Sequence, residues 1–187
     1  MDAFSYLSVL LSIIVGLAIT QVLKGFRGLM LARGRTRSYW PAVTWAVLVL
    51  VIAVQTWWSM FGLREHSDWT FFAFSIVVTQ TIAIYLLAAL VLPDFAPGEV
   101  VDLRAHFIGN HRWFSSMLLL LIGISLVKSV VVGGNLPEWR DLAYHGVFIA
   151  LGVTGVATTR PRVHEALAVI AAFVIGSYIV LLFTYLT

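Results

Sequence analysis

Residues 118–134 read LLLLIGISLVKSVVVGG, a run in which Lys128 is the single charged residue. An apolar run of this kind is typical of a membrane-spanning helix, since about 20 helical residues cross a hydrocarbon core of about 30 Å. Helix is expected because lipid offers no hydrogen-bond partner to an unpaired backbone group. The stretch therefore predicts a transmembrane helix, and it raises the question of what surrounds the lysine.

The whole chain has the composition of a multi-pass membrane protein. It has 187 residues, of which 60% are hydrophobic and 11% are charged, with a mean hydropathy of +0.95. Soluble domains carry about 25% charged residues. The absence of cysteine excludes disulfides and thiolate metal sites. We expect one transmembrane bundle over residues 1–187, with no cofactor, no metal site and no nucleic-acid partner.

Proline, glycine and charged residues divide the chain into six apolar segments. We therefore predict an all-α integral membrane protein of six transmembrane helices, over residues 4–31, 41–63, 69–92, 113–134, 140–159 and 163–186. The long connection lies between the third and fourth spans. Its second half, before residue 113, is expected to form a short helix on the membrane surface.

The positive charges are unevenly shared between the two sides of such a bundle. Alternating loops place nine of the 12 Lys and Arg residues on one side: Lys24, Arg27, Arg33, Arg35, Arg37, Arg104, Arg112, Arg160 and Arg162. Cytoplasmic loops carry the excess of Lys and Arg. We expect this side to be cytoplasmic in a bacterial plasma membrane, with both termini outside.

An internal repeat is one interpretation of the first and fourth spans. Aligning Gly16 with Gly123 superposes IIVGLAITQVLKG on LLIGISLVKSVVV and places Gln21 opposite Lys128. Three spans followed by three would form a 3+3 inverted repeat, an arrangement found in many transporters. The other spans show no such match, so similarity of composition alone stays the alternative.

Small residues at four-residue spacing predict the faces on which membrane helices pack. The fifth span has Gly146, Ala150 and Thr154, which we expect to face the sixth span. In the fourth span Lys128 lies beside a stripe of the same kind, formed by Ser125, Ser129 and Gly133.

Five polar side chains within the spans are candidates for a ligand site or a pathway: Lys128, Gln21, Gln55, Gln80 and His145. For the glutamines the alternative is simple hydrogen bonding between helices. For Lys128 the alternatives are extension of the side chain to the membrane surface or pairing with an acid on its side of the membrane. The candidate acids are Glu65, Asp68, Glu138 and Asp141.

The arginines of the first loop, Arg33, Arg35 and Arg37, are candidates for contact with anionic lipid headgroups. A cytoplasmic leaflet attracts such residues by about 1 kcal/mol each. Membrane orientation alone is the alternative explanation for these charges.

The polar candidates favour a transporter, a channel or a ligand-binding membrane protein with a polar interior around Lys128. The alternative is a non-catalytic scaffold or accessory subunit of a larger membrane complex. We predict no catalytic residues, and we expect no buried carboxylate, which disfavours an ion-coupled transporter. The expected partners are the lipid bilayer, anionic lipids included, and either further copies of this chain or other membrane subunits.

Overall fold

The computed structural model describes residues 3–66, 68–96 and 98–182. Residues 183–186 of the sixth predicted span lie outside this part. Six α-helices account for most of it: α1 (Ala3–Leu31), α2 (Trp40–Ser59), α3 (Phe71–Val91), α4 (Leu103–Val131), α5 (Trp139–Ala157) and α6 (Pro161–Leu182). The remaining regular elements are 3₁₀ turns at Arg33–Arg35 and Met60–Glu65 and two short strands, β1 (Thr36–Arg37) and β2 (Val101–Asp102).

The described helices indicate an all-α membrane protein. Five of them, α1, α2, α3, α4 and α6, are long and apolar enough to cross a membrane. The 19-residue α5 falls short, because Arg140 and Asp141 in its first turn lower its hydropathy. The count of six spans and the orientation of the termini therefore stay predictions.

The loops gather at the two ends of the bundle. At one end, called here the basic end, β1 pairs in parallel with β2 through Thr36–Val101 and Arg37–Asp102. At the same end the Tyr39 hydroxyl donates to the backbone oxygen of Pro161, 3.3 Å away. Residues 60–66 and 68–70, and the loop of residues 132–138, lie at the opposite end. The structure thus joins all three basic-end connections to one another.

Helix α4 begins ten residues before the predicted span. A separate surface helix was expected before residue 113, but residues 103–131 form one continuous helix. Its first turn is capped by Asp102, whose Oδ1 accepts a hydrogen bond from the backbone N–H of Ala105 (2.9 Å). Leu103, Phe107 and Phe114 are buried on one face of it. The apolar residues of this segment therefore recur at helical spacing rather than alternating, and the segment is part of α4.

Five helices form a closed ring in which α2, α3, α4, α5 and α6 each contact the next, and α6 contacts α2. Helix α1 packs against α2 and α3. The close approach of α1 to the segment after α3 depends on glycine: a Cβ on Gly25 would lie 2.8 Å from Leu92 Cδ1, and one on Gly28 would collide with the Phe95 ring.

The packing of the two halves does not support the inverted repeat. An inverted repeat would give α4 and α6 the contact that α1 and α3 make. Helix α1 packs extensively against α3, whereas α4 and α6 make no comparable contact within residues 3–66, 68–96 and 98–182. This packing favours shared apolar composition as the source of the alignment, and the inverted repeat stays a prediction.

The small-residue stripe of the fifth span was assigned to the wrong face. Gly146, Ala150 and Thr154 are exposed on the surface of the bundle. The tight contact of α5 uses Gly152 and Gly155 instead, and its partner is α4. At Gly152 a Cβ would lie 2.6 Å from Leu119 Cδ2. Spacing alone does not distinguish between two glycine-containing faces of the same helix.

Candidate functional site

A polar chamber of about 540 Å³ lies inside the ring at the opposite end from the basic loops. Its rim includes Gly62 and Gly133 from the two loops, and both residues are exposed. Every helix of the ring contributes to its wall. The lining residues are Gln55, Ser59, Gly62, Leu63, His66, Gln80, Ser125, Lys128, Ser129, Val132, Gly133, Asp141 and Tyr178.

Lys128 faces this chamber from the last full turn of α4. Its side chain is half-buried. Among the described side chains, no carboxylate oxygen lies within 4.0 Å of its ammonium group. Asp141, one of the four acids considered as its partner, lines the same chamber without pairing directly with it. The geometry therefore places an ammonium group beside a cavity with no close counter-charge.

The side chain of Asp141 is the carboxylate of this site, and its exposed fraction is 23%. Asp141 is partly buried, whereas its neighbours Arg140 and Leu142 in the first turn of α5 are exposed. Tyr178 donates its hydroxyl to Asp141 Oδ1 at 3.0 Å. His145 Nδ1 lies 3.3 Å from the same oxygen.

His145 connects α5 with α4. Its Nδ1 lies 2.8 Å from the backbone oxygen of Asp141 as well as near the Asp141 carboxylate. Facing two acceptors, this nitrogen carries the proton of the neutral ring, and in that form Nε2 accepts from the Ser125 hydroxyl, 3.3 Å away. The hydroxyl of Ser129 donates instead to the backbone oxygen of Ser125. Ser125 thus orients its hydroxyl toward another helix.

The three connected side chains are those of Ser125, His145 and Asp141, which are the residue types of a serine hydrolase triad. Lys128 follows Ser125 at S-x-x-K spacing. A serine nucleophile also requires donors for the oxyanion that forms on the substrate. Ser125 lies within α4, six residues before its end, where the backbone N–H groups are used within the helix. The arrangement fits a binding site better than an acyl-transfer site.

An apolar chamber of about 100 Å³ adjoins the polar chamber on its basic-end side. The two share Gln55, Gln80, Ser125 and Tyr178 in their walls. The remaining wall of the apolar chamber is mostly aliphatic and aromatic: Trp45, Ile52, Thr56, Leu118, Leu121, Ile122, His145, Phe148, Leu151, Ala171, Ile175 and Ile179.

Aromatic side chains fill the interior of the helix bundle between the apolar chamber and the basic end. Trp45 and Phe114 meet edge to face, with centroids 5.2 Å apart, and Phe114 continues to Phe107 at 5.8 Å. His111 and His164, both buried, have ring centroids 5.4 Å apart beside them. This cluster separates the chambers from the basic end.

The structure brings together four of the five residues predicted as ligand or pathway candidates. Gln55, Gln80, Lys128 and His145 all line the adjoining chambers. Gln21 lines neither chamber, and a role for it in a ligand site or pathway stays a prediction. It lies on α1, which packs outside the ring and contributes to neither chamber.

Gln80 is the most unusual of these residues. It is 6% exposed and lies in the wall of both chambers. Its Oε1 has no hydrogen-bond partner in the described part of the chain. Buried polar groups almost always have a partner, so this amide distinguishes the junction of the chambers from an ordinary helix contact.

The arginines predicted to contact lipid lie at the basic end, near the segment that precedes α4. Arg35 donates to the backbone oxygen of Glu99 at 3.3 Å. Arg37 lies 3.8 Å from the Asp102 carboxylate. Arg33, like the other two, is exposed. Lipid contact by these residues stays a prediction.

Comparison of the chain with protein-family models, with curated proteins and with solved structures found no match. The site is therefore interpreted from its own geometry.

Three side-chain pairs of the interior were not predicted from the sequence. The four-residue spacing of Asp141 and His145 would have indicated that both lie on one helix face. The pairing of Tyr178 with Asp141 had no such signal, because it joins residues 37 positions apart. The buried pair of His111 and His164 was missed for the same reason.

Proposed function

We propose that this chain is a small transporter or ligand-binding protein of a bacterial plasma membrane. Its polar chamber binds a small anionic or carbonyl-bearing molecule through Lys128. In this proposal all six helices span the membrane, both termini lie outside the cytoplasm, and the chamber opens outward. The observation that carries the proposal is the ammonium of Lys128 in the chamber wall, which pairs with no carboxylate among the described residues.

The strength of an interaction between Lys128 and an anion depends on where Lys128 lies. A charge inside a protein interacts more strongly with an opposite charge than it does in water. An ammonium at membrane depth is costly unless it has a partner or reaches water. Asp141 reduces this cost at a distance, but its Oδ1 is already engaged by Tyr178 and His145. Lys128 is therefore available to an anion that enters from the rim.

The shape of the interior favours a binding protein or transporter over an open channel. A channel needs a continuous path, whereas the aromatic cluster around Phe107 and Phe114 fills the basic-end half of the ring. A cavity accessible from one end and closed at the other is the shape expected of one state of an alternating-access transporter.

Binding and uptake of butane-1-sulfonate test the proposal. A sulfonate stays charged, so it does not cross lipid as a neutral acid. The purified protein should bind it saturably, and proteoliposomes should accumulate it if the protein is a transporter. Lys128→Met should weaken binding about tenfold or more, because it removes the positive charge and keeps most of the side-chain volume.

Lys24→Met is the matched control. Lys24 is the other lysine of the chain, and it is paired with Asp94 at the exposed basic end. This variant should bind as the wild type does. Equal affinity of Lys128→Met and wild type would refute the role of Lys128, and absence of saturable anion binding by the wild type would favour the scaffold alternative.

A further inference from the structure

We infer that the ligand is an amphiphile, with an anionic head group in the polar chamber and a short apolar chain in the apolar chamber. This inference rests on the proposed function, because it assigns the head group to Lys128. It goes further in assigning a second part of the ligand to a second part of the cavity.

The contrast between the adjoining chambers is the first observation. The polar chamber presents Lys128, Asp141 and Ser129, whereas the apolar chamber is walled by side chains such as Leu118, Ile122 and Leu151. A molecule whose polarity changes along its length matches this division, because each half then meets groups of its own kind.

The junction between the chambers supplies the second observation. Gln80 lies in both walls, is 6% exposed and has an Oε1 that no described residue satisfies. A buried amide that the protein itself leaves without a partner is expected where a bound molecule provides one. Gln80 therefore indicates that the ligand extends past Lys128 to the entrance of the apolar chamber.

The size of the apolar chamber limits the chain. At about 100 Å³ it is much smaller than the polar chamber of about 540 Å³. It can hold a few methylene groups but not a long acyl chain. Phe148 and Ile175 line its wall, and Trp45, another lining residue, packs edge to face on Phe114. Affinity should therefore rise with chain length over the first carbons and then stop rising.

A series of alkanesulfonates from methane- to octanesulfonate tests this inference on the purified full chain in nanodiscs. Each methylene that enters the chamber should increase affinity about fourfold, the equivalent of ~0.8 kcal/mol. The increase should end once the chamber is filled. Methyl butyl sulfone, which has the same chain but no charge, should bind at least tenfold more weakly than butanesulfonate.

Filling the apolar chamber should remove the dependence on chain length while keeping the head-group interaction. Ala171, a buried residue of α6 in the chamber wall, provides the position. Ala171→Leu should lose most of the gain in affinity that the wild type shows between methanesulfonate and hexanesulfonate. Ala166→Leu is the matched control, because Ala166 lies on an exposed face of the same helix. If Ala171→Leu does not fold, Ile175→Phe tests the same wall.

The outcomes separate the two proposals. Equal binding of methanesulfonate and hexanesulfonate by the wild type, or unchanged chain-length dependence in a chamber-filling variant that folds, would overturn the assignment of the chain to the apolar chamber. Equal binding of the sulfone and the sulfonate would instead contradict the role of Lys128, and with it the proposed function.

Discussion

Tyr178 of α6 donates a hydrogen bond from its hydroxyl to Asp141 Oδ1 of α5, over 3.0 Å. The same carboxylate oxygen lies 3.3 Å from His145 Nδ1. One oxygen thus connects α6 to the histidine that reaches α4. Asp141 and Tyr178 line the same chamber as Lys128.

Tyr178→Phe should destabilise the protein. It removes the hydroxyl donor from a partly buried carboxylate, and hydrogen bonds to charged groups contribute about 1.5–3 kcal/mol. The measurement is the free energy of unfolding in detergent. The control is Tyr144→Phe, which removes the neutral bond to Ser177 on the exposed side of α6 and should cost about 0.6 kcal/mol. Equal effects of the two variants would show that Asp141 does not depend on Tyr178.

Gly152→Ala should weaken the packing of α5 on α4. The new Cβ would lie 2.6 Å from Leu119 Cδ2 and 2.7 Å from Leu119 Cγ. Leu119 would have to move, and overpacking of this kind costs about 1–3 kcal/mol.

The comparison is Gly146→Ala in the same helix, where no atom lies within 4 Å of the added Cβ. This variant should be neutral or stabilising by up to about 1 kcal/mol, because alanine favours helix over glycine. Thermal unfolding of both variants checks the prediction. A lower midpoint for Gly146→Ala than for Gly152→Ala would contradict the assignment of the packing face.

Gln80→Leu should lower the affinity for the ligand without lowering the stability of the protein. Leucine removes a buried Oε1 that has no partner in the described structure, and an unsatisfied group of this kind costs about 1–3 kcal/mol. The variant should therefore be as stable as the wild type or more stable, while its affinity for butanesulfonate falls. Unfolding and binding measured on the same preparation check both effects.

Gln21→Leu is the control for Gln80→Leu, since Gln21 lies on α1 away from both chambers. It should leave the affinity unchanged. A loss of affinity in Gln21→Leu comparable to that in Gln80→Leu would restore Gln21 to the site and would contradict the ring arrangement. A strong loss of stability in Gln80→Leu would show that the amide serves mainly as a contact between helices.

The helices themselves could be predicted, because apolar runs separated by proline, glycine and charge are a local property of the chain. The beginning of α4 was missed although its signal was present. Leu103, Phe107 and Phe114 recur at helical spacing, and Asp102 stands at the capping position. Residues 103–112 mix apolar and basic side chains, and we interpreted them as a separate surface helix. Their apolar face is instead buried against neighbouring helices, and the segment is the first part of α4.

The sequence by itself determined that this chain forms apolar helices and that Lys128 lies near the end of one of them, because hydropathy and spacing are encoded locally. The arrangement of the helices around the lysine was decided by the tertiary structure alone. Packing placed α1 and Gln21 outside the ring, and it brought Asp141 and Tyr178 together from positions 37 residues apart. Such contacts depend on which helix faces pack against one another, and the hydropathy of the sequence does not show which faces those are.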